Sequence, residues 1–226
     1  MKISVVIPVL DEERQIGARL RELKAFGDVL DVLVVDGGSR DGTREIVRAA
    51  GSPRLIESER GRARQLNAGA RAAQTDVLLF LHADCALPAD AAAQVERALR
   101  DSATVAGAFR TWHVADDGRF APWLHLADLR SRYTGLPYGD QALFVRRAVF
   151  HDVGGFPEQP LMEDLELSRR LRARGRIVTV PSRVRVSGRR FLRHPLRESF
   201  LVNVFPLLYR LGVSPEKLAR LYQDIR

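Results

Sequence analysis

Apolar residues fall along the first hundred positions in two alternating rhythms. Residues 3–9, ISVVIPV, form a β-branched run closed by proline and valine, and residues 31–38, DVLVVDGG, repeat it with a carboxylate and two glycines at the close. Such continuous runs read as strands buried on both faces of a parallel sheet. Between them, Ile16, Leu20, Leu23 and Phe26 recur at helical spacing and predict a helix over 12–26. The unit then repeats: a helix over 41–50 stopped by Gly51, a short strand over 54–57, a helix over 62–73, a strand over 77–81 and a helix over 89–99. This alternation predicts an α/β fold with a mainly parallel central sheet and helices on both faces. Ligands of such sheets bind beyond the carboxyl ends of the strands. The segments to search for chemistry are therefore PVLDEE, DGGSRDGT and HADC.

Beyond residue 100 the rhythm changes. The pattern predicts a strand over 105–114, an aromatic-bearing helix over 120–133, a strand over 142–145, a glycine-proline loop VGGFPEQP and a charged helix starting near Met162. Two amphipathic helical patterns divided by Gly212 and Pro215 close the chain. The apolar stretch 200–211 is broken by Asn203, Pro206 and Arg210, too short and too polar to span a bilayer. The expectation is one domain over 1–192 and a C-terminal helical segment over 193–226. That segment packs on the domain or on a second copy in a homodimer; docking on a membrane surface is the alternative, because arginines flank it.

Composition narrows this picture only slightly. The 226 residues suit one substantial domain, and 46% hydrophobic with 28% charged residues excludes a disordered chain. One cysteine excludes an internal disulfide framework, and with no leader pattern at the start the expected setting is reducing and cytoplasmic. The net charge of +8 favours an anionic partner, and it is carried almost wholly by arginine, since lysine occurs only at Lys2, Lys24 and Lys217. A nucleic-acid binder would interleave aromatics on a basic sheet or show a recognition helix, and neither pattern is present. No nucleic-acid partner is expected.

The strand ends supply the candidate chemistry. Asp36, at the close of VVDGG, suits either a turn or hydrogen bonds from a base or ribose. Asp84 follows the strand over 77–81, where a carboxylate can take a hard divalent cation that also binds phosphate oxygens. His82 lies two residues earlier, on the same side of an extended chain, and is a second metal ligand, a phosphate donor or a hydrogen-bonded strand end. Cys85 has no partners for zinc and no readable dyad, so it packs. Arg60, Arg62 and Arg64 surround a glycine at a helix start, a clamp for diphosphate through guanidinium and helix terminus together. Glu163 and Asp164 open a later helix, either as dipole partners or with one of them as general base.

Taken in order, VVIPVLDEE, VVDGGSRDGT, RARQLNAGA, LFLHAD, GDQALFVRRAVFHDVGGFP and MEDLELSRRLRARGR resemble the family-2 glycosyltransferases of the GT-A fold, over roughly residues 3–190. More narrowly, LHADC, YGDQALFVRR and PLMEDLELSRRLR resemble a bacterial subgroup of glycosyltransferases associated with radical-SAM, selenodomain and arsenosugar-biosynthesis genes. The resemblance implies inverting transfer from a nucleotide-diphosphate sugar donor to a small-molecule acceptor, assisted by a divalent metal, magnesium or manganese. It implies that Pro8, Val9 and Glu12 line the nucleoside pocket, that Asp36 lies near the base and that Arg64 approaches the diphosphate. Asp84 would hold the metal as the last residue of the family's D-x-D, with His82 where the family usually has its first aspartate. Asp164 would be the catalytic base with Glu163 beside it, and Gly139 and Asp140 would lie near the donor sugar or acceptor. A sugar nucleotidyltransferase would need a glycine-rich, arginine-ended loop where PVLDEE stands; a non-catalytic binding protein would not need both Asp84 and Asp164.

Overall fold

The computed structural model describes residues 1–114, 135–187 and 195–224. Strand β1 (Ile3–Val9) leads into helix α1 (Glu13–Lys24), β2 (Leu30–Asp36) into α2 (Thr43–Ala49), and β3 (Arg54–Glu57) into α3 (Arg62–Ala72). Next come β4 (Val77–Phe80), a two-residue β5 (Cys85–Ala86), α4 (Ala91–Ala98) and the long β6 (Thr104–Val114). The helix expected over 120–133 lies outside the described residues. After them come β7 (Phe144–Arg146), α5 (Arg147–Asp152), α6 (Glu163–Arg172), β8 (Arg176–Ser187), α7 (Pro195–Arg210) and α8 (Pro215–Asp224). Among the described residues no helix is long and apolar enough to cross a membrane.

The strands form one sheet in the order β3-β2-β1-β4-β7-β6-β8-β5. Four of its seven pairings are parallel: β1 with β2 and β4, β2 with β3, and β6 with β8. β7 runs antiparallel to both β4 and β6, and β5 antiparallel to β8, so the parallel half ends at β4. β5, α5 and β8 are elements that the sequence reading did not contain.

Alternate residues of the central strands feed two cores, one on each face. Ile3, Val5, Ile7 and Val9 pack with Ile16 of α1, Val47 of α2 and Val95 of α4. Val6, Leu33 and Val35 pack on the other side with Leu66 of α3, Phe150 of α5 and Leu167 of α6. That explains why both strands read as unbroken apolar runs: neither face meets water. The helix α3 sits so close to the sheet that a Cβ on Gly69 would stand 2.3 Å from Val6 Cγ1.

The register brings the strand ends level. Val9 pairs with Asp36, and β4 stops at Phe80 opposite Val6. His82 and Asp84 therefore leave the sheet beside the end of β1, as the strand-end argument expects.

Candidate active site

The loops after β1 and β2 are stitched together. Asp11, at a left-handed φ of 55°, accepts the Arg40 amide at 2.7 Å, and its own amide reaches Ser39 Oγ at 3.0 Å. The Glu12 amide donates to Thr43 Oγ1 at 2.8 Å. Asp36 is fully enclosed and accepts hydrogen bonds from the Gly38 amide, the Ser39 amide and hydroxyl, and Arg44 Nε at 2.6 Å. Burial works against its ionisation, but the Ser39 hydroxyl, Arg44 and the two amides more than offset this, so the carboxyl sits below its ordinary range. In this structure Asp36 organises the loop that carries it and does not line the cleft.

That cleft has two adjoining compartments. The first is lined by Pro8, Val9 and Glu12 at the end of β1, by Arg60 to Arg62 at the start of α3, and by Gln65. Gln65 was not singled out in the sequence; its Nε2 donates to the carbonyls of Val9 and Val35 at 2.8 and 2.9 Å, tying the ends of β1 and β2 to α3. The second compartment is lined by His113, Tyr138, Gly139, Asp140 and Asp164. His82, Asp84 and Arg62 line both and so stand at the junction.

Three arginines were candidates for an anion, and the structure separates them. Arg64 pairs with Glu158 at 3.0 Å and Glu59 at 2.7 Å and does not line the cleft. Arg60 and Arg62 do line it, and Arg62 Nε is paired with Glu163, which is 2% exposed. Partial desolvation disfavours the Arg62 charge, but Glu163 and then Asp164 outweigh it and raise its pKa. Arg62 and Glu163 are also the first residues of α3 and α6, so two helix N-termini meet at the junction. Each adds a partial positive charge, which suits an anionic group, with the Leu165 amide of α6 already taken by Asp164.

Asp164 is held by two backbone donors, the Gly139 amide at 2.6 Å and its own helix's Leu165 amide at 2.7 Å. Just before it, Met162 occupies the left-handed region at φ 65°, a conformation costly for a residue with a Cβ. Strain of this kind persists where surrounding contacts fix it, and here it turns the chain into α6 so that Asp164 lines the second compartment while Glu163 lies buried behind it against Arg62 and lines neither compartment. His113 and Asp140, which both line the second compartment, approach to 3.9 Å.

Among the described residues no group of three or more His, Cys, Asp or Glu side chains is disposed as a metal cage. A hard cation bound with phosphate does not require one, because it is commonly held by one or two carboxylates with the remaining positions filled by phosphate oxygens and water. Asp84, with His82 beside it at the junction, fits that pattern. Cys85 Sγ donates to Asp84 Oδ1 at 3.5 Å, and burial together with Asp84 raises the thiol pKa well above normal, which keeps it out of the chemistry.

Comparison with known proteins agrees with this geometry in fold. Mannosyltransferase PcManGT from Pyrobaculum calidifontis, solved with GDP-Man and Mn2+, superposes with a TM-score of 0.72 at 21% identity, over 95% of this chain and 66% of that one. TarS 1-349 of S. aureus with UDP-GlcNAc gives 0.66 at 22% identity, over 83% of this chain and 58% of that one. The fold is thus that of the GT-A glycosyltransferases. The sequence pattern described as glycosyl transferase family 2 matches residues 4–156, and the chain belongs to that family. Undecaprenyl-phosphate 4-deoxy-4-formamido-L-arabinose transferase of Aeromonas hydrophila is 30% identical over 119 residues, 48% of this chain and 36% of that relative. The chain thus spans about a third of the length of that curated relative.

Proposed function

We propose that this chain transfers a glycosyl group, with inversion, from a nucleotide-diphosphate sugar to the hydroxyl of a small-molecule acceptor, with a divalent cation, magnesium or manganese, at the diphosphate. The observation that carries the reading is the meeting, at one junction, of Asp84 and His82, of Arg62 with two helix N-termini, and of the backbone-held Asp164 in the adjoining compartment. The nucleoside would lie along Pro8, Val9 and Glu12. The diphosphate would meet Arg62 and the α3 terminus, and the sugar would reach past Gly139 and Asp140. Bound at Asp84 with His82 beside it, the cation would supply positive charge to the departing diphosphate.

The chemistry is then a single displacement. Asp164 accepts the proton of the acceptor hydroxyl as its oxygen bonds to the anomeric carbon, and the bond from that carbon to the diphosphate breaks with its electron pair on the phosphate oxygen. Arg62 and the helix termini stabilise the charge that develops there. The nucleotides named with the structural relatives, GDP-Man and UDP-GlcNAc, make those two donors the first to screen. The likeness to the arsenosugar-associated subgroup is part of the same reading and bears on the acceptor.

The test is a screen of nucleotide sugars for binding and hydrolysis with and without manganese, repeated with two variants. Asp164→Asn is expected to keep donor binding and to lose about 10²–10⁴-fold in turnover; Asp84→Ala is expected to lose the stimulation by manganese. Full turnover in Asp164→Asn would sink the assignment of the base.

A further inference from the structure

The family pattern ends at Phe156, and the cleft is divided close to the same point. Its first compartment is built mostly from residues inside the pattern. The apolar part of the second's lining comes largely from residues beyond it: Leu201, Phe205 and Pro206 on α7, with Leu161 ahead of α6 and Tyr222 on α8, which line the first compartment too. These side chains carry no polar group apart from the Tyr222 hydroxyl. They form a packed surface. Leu201 and Phe205 are 4% and 5% exposed, Leu218 of α8 is fully buried beneath them, and the Phe205 and Tyr222 rings meet edge to face at 6.2 Å. His82, Asp84, Asp140 and Asp164 line the same compartment.

Such a wall discriminates by solvation. Hydroxyls of a polyol pressed against it would lose water and gain no hydrogen bonds, an unfavourable exchange. Methylene or aromatic carbon placed there leaves water at a gain of about 0.8 kcal/mol per methylene, or about fourfold in affinity.

We propose that the acceptor half of this cleft is built for an amphiphile, with a hydroxyl delivered to Asp164 and an aliphatic or aromatic body lying along Leu161, Leu201, Phe205 and Pro206. The proposal rests on the glycosyl-transfer reading and names the substrate class of that site. Helix α7, which lies outside the family pattern and lines only the second compartment, thereby sets acceptor choice.

The test titrates the full chain with n-alkyl β-D-glucosides from methyl upward, below their micellar concentrations, alongside the nucleotide-sugar hydrolysis assay. Affinity is expected to rise about fourfold per methylene over the first members of the series. Leu201→Ala and Phe205→Ala should flatten the rise. Phe205→Leu, which keeps the helix packed, should retain it, as should Leu207→Ala on the outward side of the same helix, where Leu207 is 56% exposed. A rise that ends at butyl marks a free small molecule, and one that runs on to dodecyl marks a lipid chain; both support the proposal. Equal affinity for methyl and octyl glucoside, or a rise that survives both alanine variants, overturns it. Donor turnover with no dependence on alkyl length overturns the amphiphile and leaves glycosyl transfer standing. Dependence on alkyl length with no turnover of any nucleotide sugar overturns the transfer reading and, with it, the role of the bound amphiphile as acceptor.

Discussion

Gly139 lies between His82 and Asp164, two side chains that the proposed transfer uses. A Cβ added there would stand 3.1 Å from His82 Nε2 and 3.2 Å from Asp164 Oδ2, tighter than ordinary contact, so one of them must move. Because small misplacements of reacting groups cost large factors in rate, Gly139→Ala is expected to lower turnover at least about tenfold while shifting the urea midpoint little. Arg62 and Arg64 give a sharper contrast. Arg62→Ala is expected to weaken donor binding by about 10- to 100-fold, the worth of a charge-assisted hydrogen bond, and Arg64→Ala to leave it within about twofold; titration with a nucleotide sugar checks both. The sequence could nominate the arginines but not choose between them. Residues two apart on a helix point about 200° away from each other, and only the packing of α3 on the sheet decides which of them faces the cleft. Asp36 was legible as a functional-looking strand end, yet its enclosure by Ser39 and Arg44 depends on how the loop folds back. Its carboxyl is depressed in the folded state, so its contribution to stability is full above the ordinary carboxylate value of about 4 and is lost as pH falls through the lower folded value. Asp36→Asn is expected to cost about 1–3 kcal/mol at neutral pH and progressively less in acid, measured by urea unfolding across pH.

At the scale of elements, β1, β2 and β4 could be read because burial on both faces makes them uninterrupted apolar runs. β8 escaped for the opposite physical reason. From Ser182 to Ser187 it alternates buried Val184 and Val186 with exposed Arg183 and Arg185, and Arg183 covers the Trp112 ring at 4.7 Å, so the outward positions of this stretch carry arginine and break the apolar run. The two-residue β5 exists only through its pairing with β8 and has no pattern of its own. Helix α6 was anticipated, but not the left-handed Met162 that aims it, since that strain follows from where the preceding loop must arrive. The close approach of α3 can be tested directly. Gly69→Ala must displace Val6 or the helix and is expected to destabilise by about 1–3 kcal/mol, read as a lower urea midpoint; by moving α3 it should also weaken donor binding.

For the whole molecule, the two cores flanking the sheet make one cooperative body, whereas α7 and α8 are held to each other by a small separate cluster of Leu201, Phe205 and Leu218. The segment was expected to pack on the domain, on a twin or on a membrane surface, and α7 and α8 line the cleft. Amphipathic spacing shows that a helix has a face to bury, not which surface receives it. Leu218→Ala, which empties the centre of that cluster, is expected to speed hydrogen exchange of amides over 195–224 while β1 and β4 amides keep their protection. Loss of protection throughout would mean that the segment is integral to the main body.

The lone cysteine finally acquires a use as a clock. Cys85 is 1% exposed, held in β5 against β8 and next to Asp84, with a thiol kept protonated by its surroundings. A reagent that consumes thiolates can reach it only when that edge lifts, so the labelling rate counts openings of the sheet beside Asp84 without any engineered probe. A ligand that closes the cleft should slow the clock, and its concentration dependence gives an affinity without any turnover.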